Sequence, residues 1–361
     1  MNTRERFERV CNFEPVDHPP RWECFGFLDS TVERWEHEGL PLGVSPEEHF
    51  DMETWTTIPI KTGLSGGSPF SEFDYRAIGR DERSVVFIGS EASRRIPREE
   101  TEMPMSQLLG HPMANRDDWD SIKWRLDGGS PDRYPDWEKI RWKYAGRDFV
   151  AGMNISGLYF FIQNLFGDRQ LAYLQLEDPD FLQEMLLHWV GFNRGIATRV
   201  LSNLDVDYIS VWEDLVLRDG TTVDRQTFET FYLPYYKLLM DSLHSLGVRN
   251  LMLHAYGNNS SLMDYFVELN FNVFFPLDAS AGMNPLELRE RYGRKLVLWG
   301  GLDSRVLLGE KSDIERELKN KVPQLMDEGG YIPAIDRPIT PDVPFENYKY
   351  YVELLRELVG S

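Results

Sequence analysis

From residue 148 to its end the chain repeats one unit: a short apolar run ending on polar residues, a turn, and an amphipathic helix. The clearest copy is residues 251–261, LMLHAYGNNSS. A β-compatible run there delivers His254 to a strand end, and the Gly-Asn-Asn-Ser-Ser turn caps the next helix. Further strands are expected over 148–154, 207–212, 271–276, 295–299 and 331–334. Helices are expected over 158–166, from Asp178-Pro179 onward, over 224–246 with an interruption at Pro234, and over 285–292, 312–328 and 345–358. The N-terminal part adds strands over 21–25 and 53–60 and a helix over 30–38 stopped by Gly39. A short helix over 3–10, with Phe7, Val10 and Cys11 at helical spacing, reads as a lid under a barrel.

Strands that alternate with helices imply a parallel sheet, and eight such units favour a closed TIM barrel over an open doubly wound sheet. No GxGxxG follows the first strand, which weakens a dinucleotide-binding alternative. Residues 70–98 break the rhythm. They alternate, are rich in β-formers and carry RDERS as a turn at 80–84, which fits an antiparallel hairpin. The following residues, to 145, are rich in Pro, Asp, Trp and Arg and read as a helix-containing insertion over one mouth. The expected fold class is therefore α/β: a TIM (β/α)8 barrel with an antiparallel hairpin insertion, one domain over 1–361, inserted at about 70–145.

Composition narrows the partners. Lys+Arg 39 against Asp+Glu 59 gives a net charge of -20, which opposes binding to a phosphate backbone or an anionic lipid surface. Nucleic acid and membrane are not expected partners. The charged start MNTRERFERV has no apolar core and no run is long enough to span a bilayer, so the protein is expected to be cytoplasmic. Two cysteines, Cys11 and Cys24, are too few for a disulfide framework or a cysteine-rich zinc module.

In a TIM barrel the chemistry sits at the C-terminal ends of the strands. Those ends carry Glu23 and Cys24, Asn154, Glu213 and Asp214, His254, Asp278, Asp303, and Asp336 with Arg337. Carboxylates and an imidazole converging on one cavity can bind a divalent metal or perform acid-base work. Each residue also has a plainer reading. His254 can be a satisfied structural group; Glu213 can cap a helix or pair with Arg218; Asp303 reads as a cap of the next turn. Asp278 is costly to bury without purpose after so apolar a strand. Asp336 and Arg337 can form an ion pair, or Arg337 can neutralise an anionic substrate. Cys24 is more readily packed than catalytic. The aromatics Trp22, Phe25, Phe27, Tyr159, Phe160, Phe161, Trp212 and Tyr256 are core by default, though those flanking strand ends can line a flat apolar pocket.

Several segments together resemble the uroporphyrinogen decarboxylase superfamily: RERFERVCNFEPVDHPPRWE, LHAYGN, PLDAS, VLWGGLDSRVLL and GGYIPAIDRPITPDVPFENY. The resemblance implies a TIM barrel with its cleft at the strand C-termini and, commonly, a homodimer. It implies one of two chemistries: cofactor-free decarboxylation of a porphyrinogen, or zinc-dependent methyl transfer involving corrinoid proteins. True decarboxylases of this kind carry an Arg-Gln-Ala-Gly-Arg segment after the first strand, where this chain has Glu23-Cys24-Phe25-Gly26-Phe27. An acidic and aromatic replacement repels a polycarboxylate. The zinc methyltransferases carry His-x-Cys-Gly where this chain has His254 and Tyr256, and a second cysteine aligned with Arg337. The thiolate ligands are missing, which leaves His254 and Glu213, with Cys24 or Asp278, as a harder zinc set.

The resemblance thus favours a methyltransferase moving a methyl group from a small, aromatic substrate to a corrinoid protein. A carboxy-lyase acting on a carboxylated pyrrole or other small acid is the alternative, and a non-catalytic ligand-binding barrel a third. The site residues expected on this reading are Asp278, Asp336 and Arg337 as catalytic groups, Trp22, Glu23, Phe25, Asn154 and Tyr256 around the substrate, and His254, Glu213 and Cys24 around zinc.

Overall fold

The structure, a computed structural model, describes residues 1–62, the strands at 76–80, 84–88, 93–97 and 107–110, and residues 111–217, 220–221 and 223–360. Seven parallel strands form one curled sheet in chain order: β1 (Trp55–Thr57), β2 (Val150–Ser156), β3 (Tyr208–Glu213), β4 (Leu251–Ala255), β5 (Val273–Leu277), β6 (Val297–Gly300) and β7 (Tyr331–Ile332). The result is an α/β fold with a TIM-like, part-closed barrel. Where an eighth strand was expected over 21–25 there is no regular strand. The segment instead lies along the seam, giving Glu53 N→Arg21 O (3.1 Å) toward β1 and Ile339 N→Gly26 O (3.0 Å) toward the chain beyond β7. A bridge pairs Phe27 with Ile339. Residues 76–110 carry a separate four-stranded antiparallel sheet, two strands more than a hairpin; the expected turn at 81–83 lies outside the described residues.

Strand alternation divides the core in two. Val150, Tyr208, Met252, Val273, Phe275, Val297, Trp299 and Ile332 pack inside the sheet. Ala151, Met153, Ile209, Val211, Leu251, Leu253, Phe274 and Leu298 pack outward under the helices. Gly152 is required by this packing, since a Cβ there would lie 2.4 Å from the Tyr208 ring that crosses the interior. The helix Thr3–Cys11 closes the floor as expected, its Phe7 lying 5.8 Å from Trp22 and 6.1 Å from Tyr208.

The helices follow their local signals. Asp178 caps Pro179–Leu201 by accepting from Phe181 N (3.2 Å). The interruption expected at Pro234 is a π turn over Phe228–Tyr232 followed by Leu233–Ser245, because proline lacks the N–H that would continue the α ladder. No helix among the described residues is long and apolar enough to cross a membrane.

The floor is held by charge. Asp207 is fully buried and accepts from Arg4 Nε (2.7 Å), Arg147 Nη2 (2.8 Å) and Ala151 N (2.7 Å), and the Arg147 side chain is itself buried. Asp207→Ala leaves a buried guanidinium without its anion. Chemical denaturation is expected to show a loss of about 3–5 kcal/mol; a loss under about 1 kcal/mol would contradict this account.

Candidate active site

The mouth is built around His254. It is the inward residue near the end of β4, and parallel register sets it beside Trp212 on β3 and Phe275 on β5. Its ring lies 4.0 Å from Trp212 and 4.5 Å from Phe275. Phe25, from the seam segment, completes the enclosure: 5.8 Å from His254, 5.5 Å from Phe275 and stacked on Tyr256 at 5.3 Å. His254 Nε2 is buried without a hydrogen-bond partner among the described residues. Burial among these rings pushes the imidazole pKa down to about 3, so it stays neutral at ordinary pH. Asn154 sits on the inner face of β2 and is half-buried, opposite Ser210 in register.

The other expected residues are less available. Glu213 shares the outward face of β3 with Ile209 and Val211. Its carboxylate accepts from Tyr159 N and Phe160 N (both 3.0 Å) and from Tyr236 Oη, capping the helix Leu158–Glu177. The fit is tight enough that a Cβ on Gly157 would lie 2.1 Å from Glu213 Cδ. Arg218, its other candidate partner, lies outside the described residues. Glu23 is spent at the seam, accepting from Ile335 N (2.8 Å) and Tyr348 Oη (2.9 Å). Cys24 is buried, and burial raises its thiol well above the ordinary value. Trp22 is not at the mouth but in the interior, 5.0 Å from Trp299 and stacked on Trp55.

Zinc therefore does not fit the set His254, Glu213 and Cys24: one faces outward with its oxygens taken, and one is a buried, protonated thiol. No group of three His, Cys, Asp or Glu side chains among the described residues is placed to hold a metal. All seven histidines and both cysteines of the chain are among those residues.

The polar side of the mouth is a network at the ends of β5, β6 and β7. Asp278, 1 % exposed, accepts from Arg337 Nη2 (2.7 Å), Ser280 Oγ (2.7 Å), Ala281 N (3.1 Å) and Gly257 N (3.2 Å). Burial opposes its charge, but these donors and the guanidinium win and hold its pKa below the ordinary value. An ionised carboxylate so fully engaged orients Arg337; it is not free to shuttle protons. Asp336 is fully buried and accepts from Ser304 N (3.1 Å) and Ser280 N (3.3 Å), stapling two strand-end loops together. Its pKa is raised, first by burial. Asp303 caps its own turn and grips Arg305, as the plainer reading expected. Trp212 was expected only as one of several aromatics able to line a pocket, and Phe275 was not singled out; the signal for both was the same inward parity that points to His254.

The family model for uroporphyrinogen decarboxylase (URO-D) matches residues 188–358. That stretch, a little under half of the chain, is similar to the URO-D family. It contains Glu213, His254, Asp278, Asp336 and Arg337. A uroporphyrinogen decarboxylase from Syntrophotalea carbinolica is 27 % identical over 142 residues, 39 % of this chain and 40 % of the relative. One from Legionella pneumophila is 39 % identical over 70 residues, 19 % of this chain and 20 % of the relative. These matches span well under half the length of the curated relatives. Among solved structures, a methyltransferase from Methanosarcina mazei has the same fold over 99 % of both chains, with a TM-score of 0.60 and 16 % identity.

Glu23 generates a pH prediction. Burial lifts its pKa from 4.5 to about 7. A folded-state pKa above the unfolded value means its contribution is whole below about 4.5 and is lost as pH rises through about 7. Relative to Glu23→Gln, the wild-type chain should lose about 3 kcal/mol of stability between pH 4.5 and 8 in denaturation series. Parallel pH profiles for the two proteins would contradict this.

Proposed function

We propose that this chain is a methyltransferase-like enzyme of the URO-D superfamily. It takes a methyl group from a small, flat, methylated aromatic and passes it to a corrinoid carried by a partner protein. The observation that carries the reading is the aromatic enclosure of Phe25, Trp212, Tyr256 and Phe275 around a neutral His254 with an unpartnered Nε2. The fold shared with the Methanosarcina methyltransferase supports it. So does the Glu23–Phe27 segment, which presents no arginine for a polycarboxylate. A homodimer completes the proposal.

In such a transfer the carbon–heteroatom bond breaks with its electron pair staying on the heteroatom, while the acceptor's pair forms the new bond to carbon. Flat rings orient the donor and exclude water. His254 protonated at Nε2 donates a hydrogen bond to the departing heteroatom, an interaction that strengthens as negative charge develops there. Arg337, fixed by Asp278, gives the pocket one charged end.

The test is demethylation of a panel of methylated aromatics by the purified protein with a reduced corrinoid. His254→Phe keeps the packing but removes the donor, and should lower kcat by about 10²-fold or more while KM changes little. No turnover of any donor would sink the reading. A second reading, decarboxylation of a carboxylated pyrrole, draws on the relatives' names and on Arg337 at the last strand end. Porphyrinogen turnover lost in Arg337→Ala would favour it.

A further inference from the structure

Between the seam segment and β1 the wall opens into a cavity of about 490 Å³. Among the described residues its lining includes Trp22, Phe25, Phe27, Trp55, Met52 and the carboxylate residues Glu23, Glu47 and Glu53, and no lysine, arginine or histidine. Two of the carboxylates are committed elsewhere. Glu23 holds Ile335 and Tyr348, and Glu53 accepts from Arg6, Thr3 Oγ1 and Arg21 N. Glu47, exposed on the short helix Pro46–His49, makes no side-chain ion pair or hydrogen bond among the described residues.

We propose that this seam cavity binds a small organic cation, an amine or quaternary ammonium. A cavity of a few hundred cubic ångströms is the size of small-molecule sites. Aromatic faces attract a cation through their negative π surfaces, and Glu47 supplies the counter-charge. Glu47 and the net charge of -20 disfavour an anion here. The chain's own committed carboxylates remain in place, because the ligand's charge is met by Glu47 alone.

The cavity shares only Phe25 with the enclosure around His254, so the ligand lies one ring away from that imidazole. The proposal does not rest on methyl transfer, and its test reads binding rather than turnover.

The probe is choline, titrated calorimetrically against its neutral isostere 3,3-dimethylbutan-1-ol. One saturable choline site is expected, with the isostere binding about tenfold more weakly or worse. Glu47→Gln should weaken choline about tenfold and leave the isostere unchanged, erasing the preference. Met52→Trp, which fills the cavity, should abolish binding of both. Absence of saturable choline binding, equal affinity for the isostere, or a preference that survives Glu47→Gln would overturn the assignment. Glu47 is exposed, so Glu47→Gln keeps the test decisive even if Met52→Trp fails to fold.

Discussion

The alternation of side chains along a curled parallel sheet decides what each residue of this chain is able to do. Odd and even positions of a strand face opposite sides, and here one side is a narrow interior and the other a helix-covered shell. His254 follows Met252 on the inner face and so reaches the mouth. Glu213 follows Ile209 and Val211 on the outer face and so serves a helix N-terminus. Neighbouring residues in register then complete each environment: aromatic rings around the imidazole, backbone N–H groups around the carboxylate.

Those environments set the electrostatics. His254 has apolar rings on its flanks and is kept neutral, which suits hydrogen bonding rather than proton transfer at ordinary pH. Asp278 receives four donors and stays charged, which turns Arg337 into a fixed cation at the rim. Glu23 and Glu213 are buried carboxyls whose work is structural, one joining the seam to the last helix and one capping the helix beside the mouth. The acidic rim legible in the sequence thus resolves into one neutral imidazole, one ion pair and several internal staples.

Much of this was legible because strand–helix alternation from residue 148 onward is strong, and its polar strand ends mark the mouth. The position of His254 and the floor helix follow from the same patterns. What was not legible depended on parity and on distant partners. A strand expected over 207–212 runs to Glu213, and that last residue faces outward. Residues 21–25 look like a strand but lie along the seam without a regular ladder, so Trp22 sits in the interior and Glu23 is consumed by Tyr348, 325 residues away. A trio of ligand-type residues near strand ends in sequence is not a trio in space unless their faces agree.

The central claim is that His254 works as a neutral, hydrogen-bonding imidazole in an aromatic pocket rather than as a zinc ligand. The most direct test is the metal content of untagged protein purified without chelator, alongside a His254→Ala variant. Zinc well below one atom per chain in both proteins is the expected result. Near-stoichiometric zinc in the wild-type chain that disappears in the variant would contradict the claim and restore a metal to the mouth.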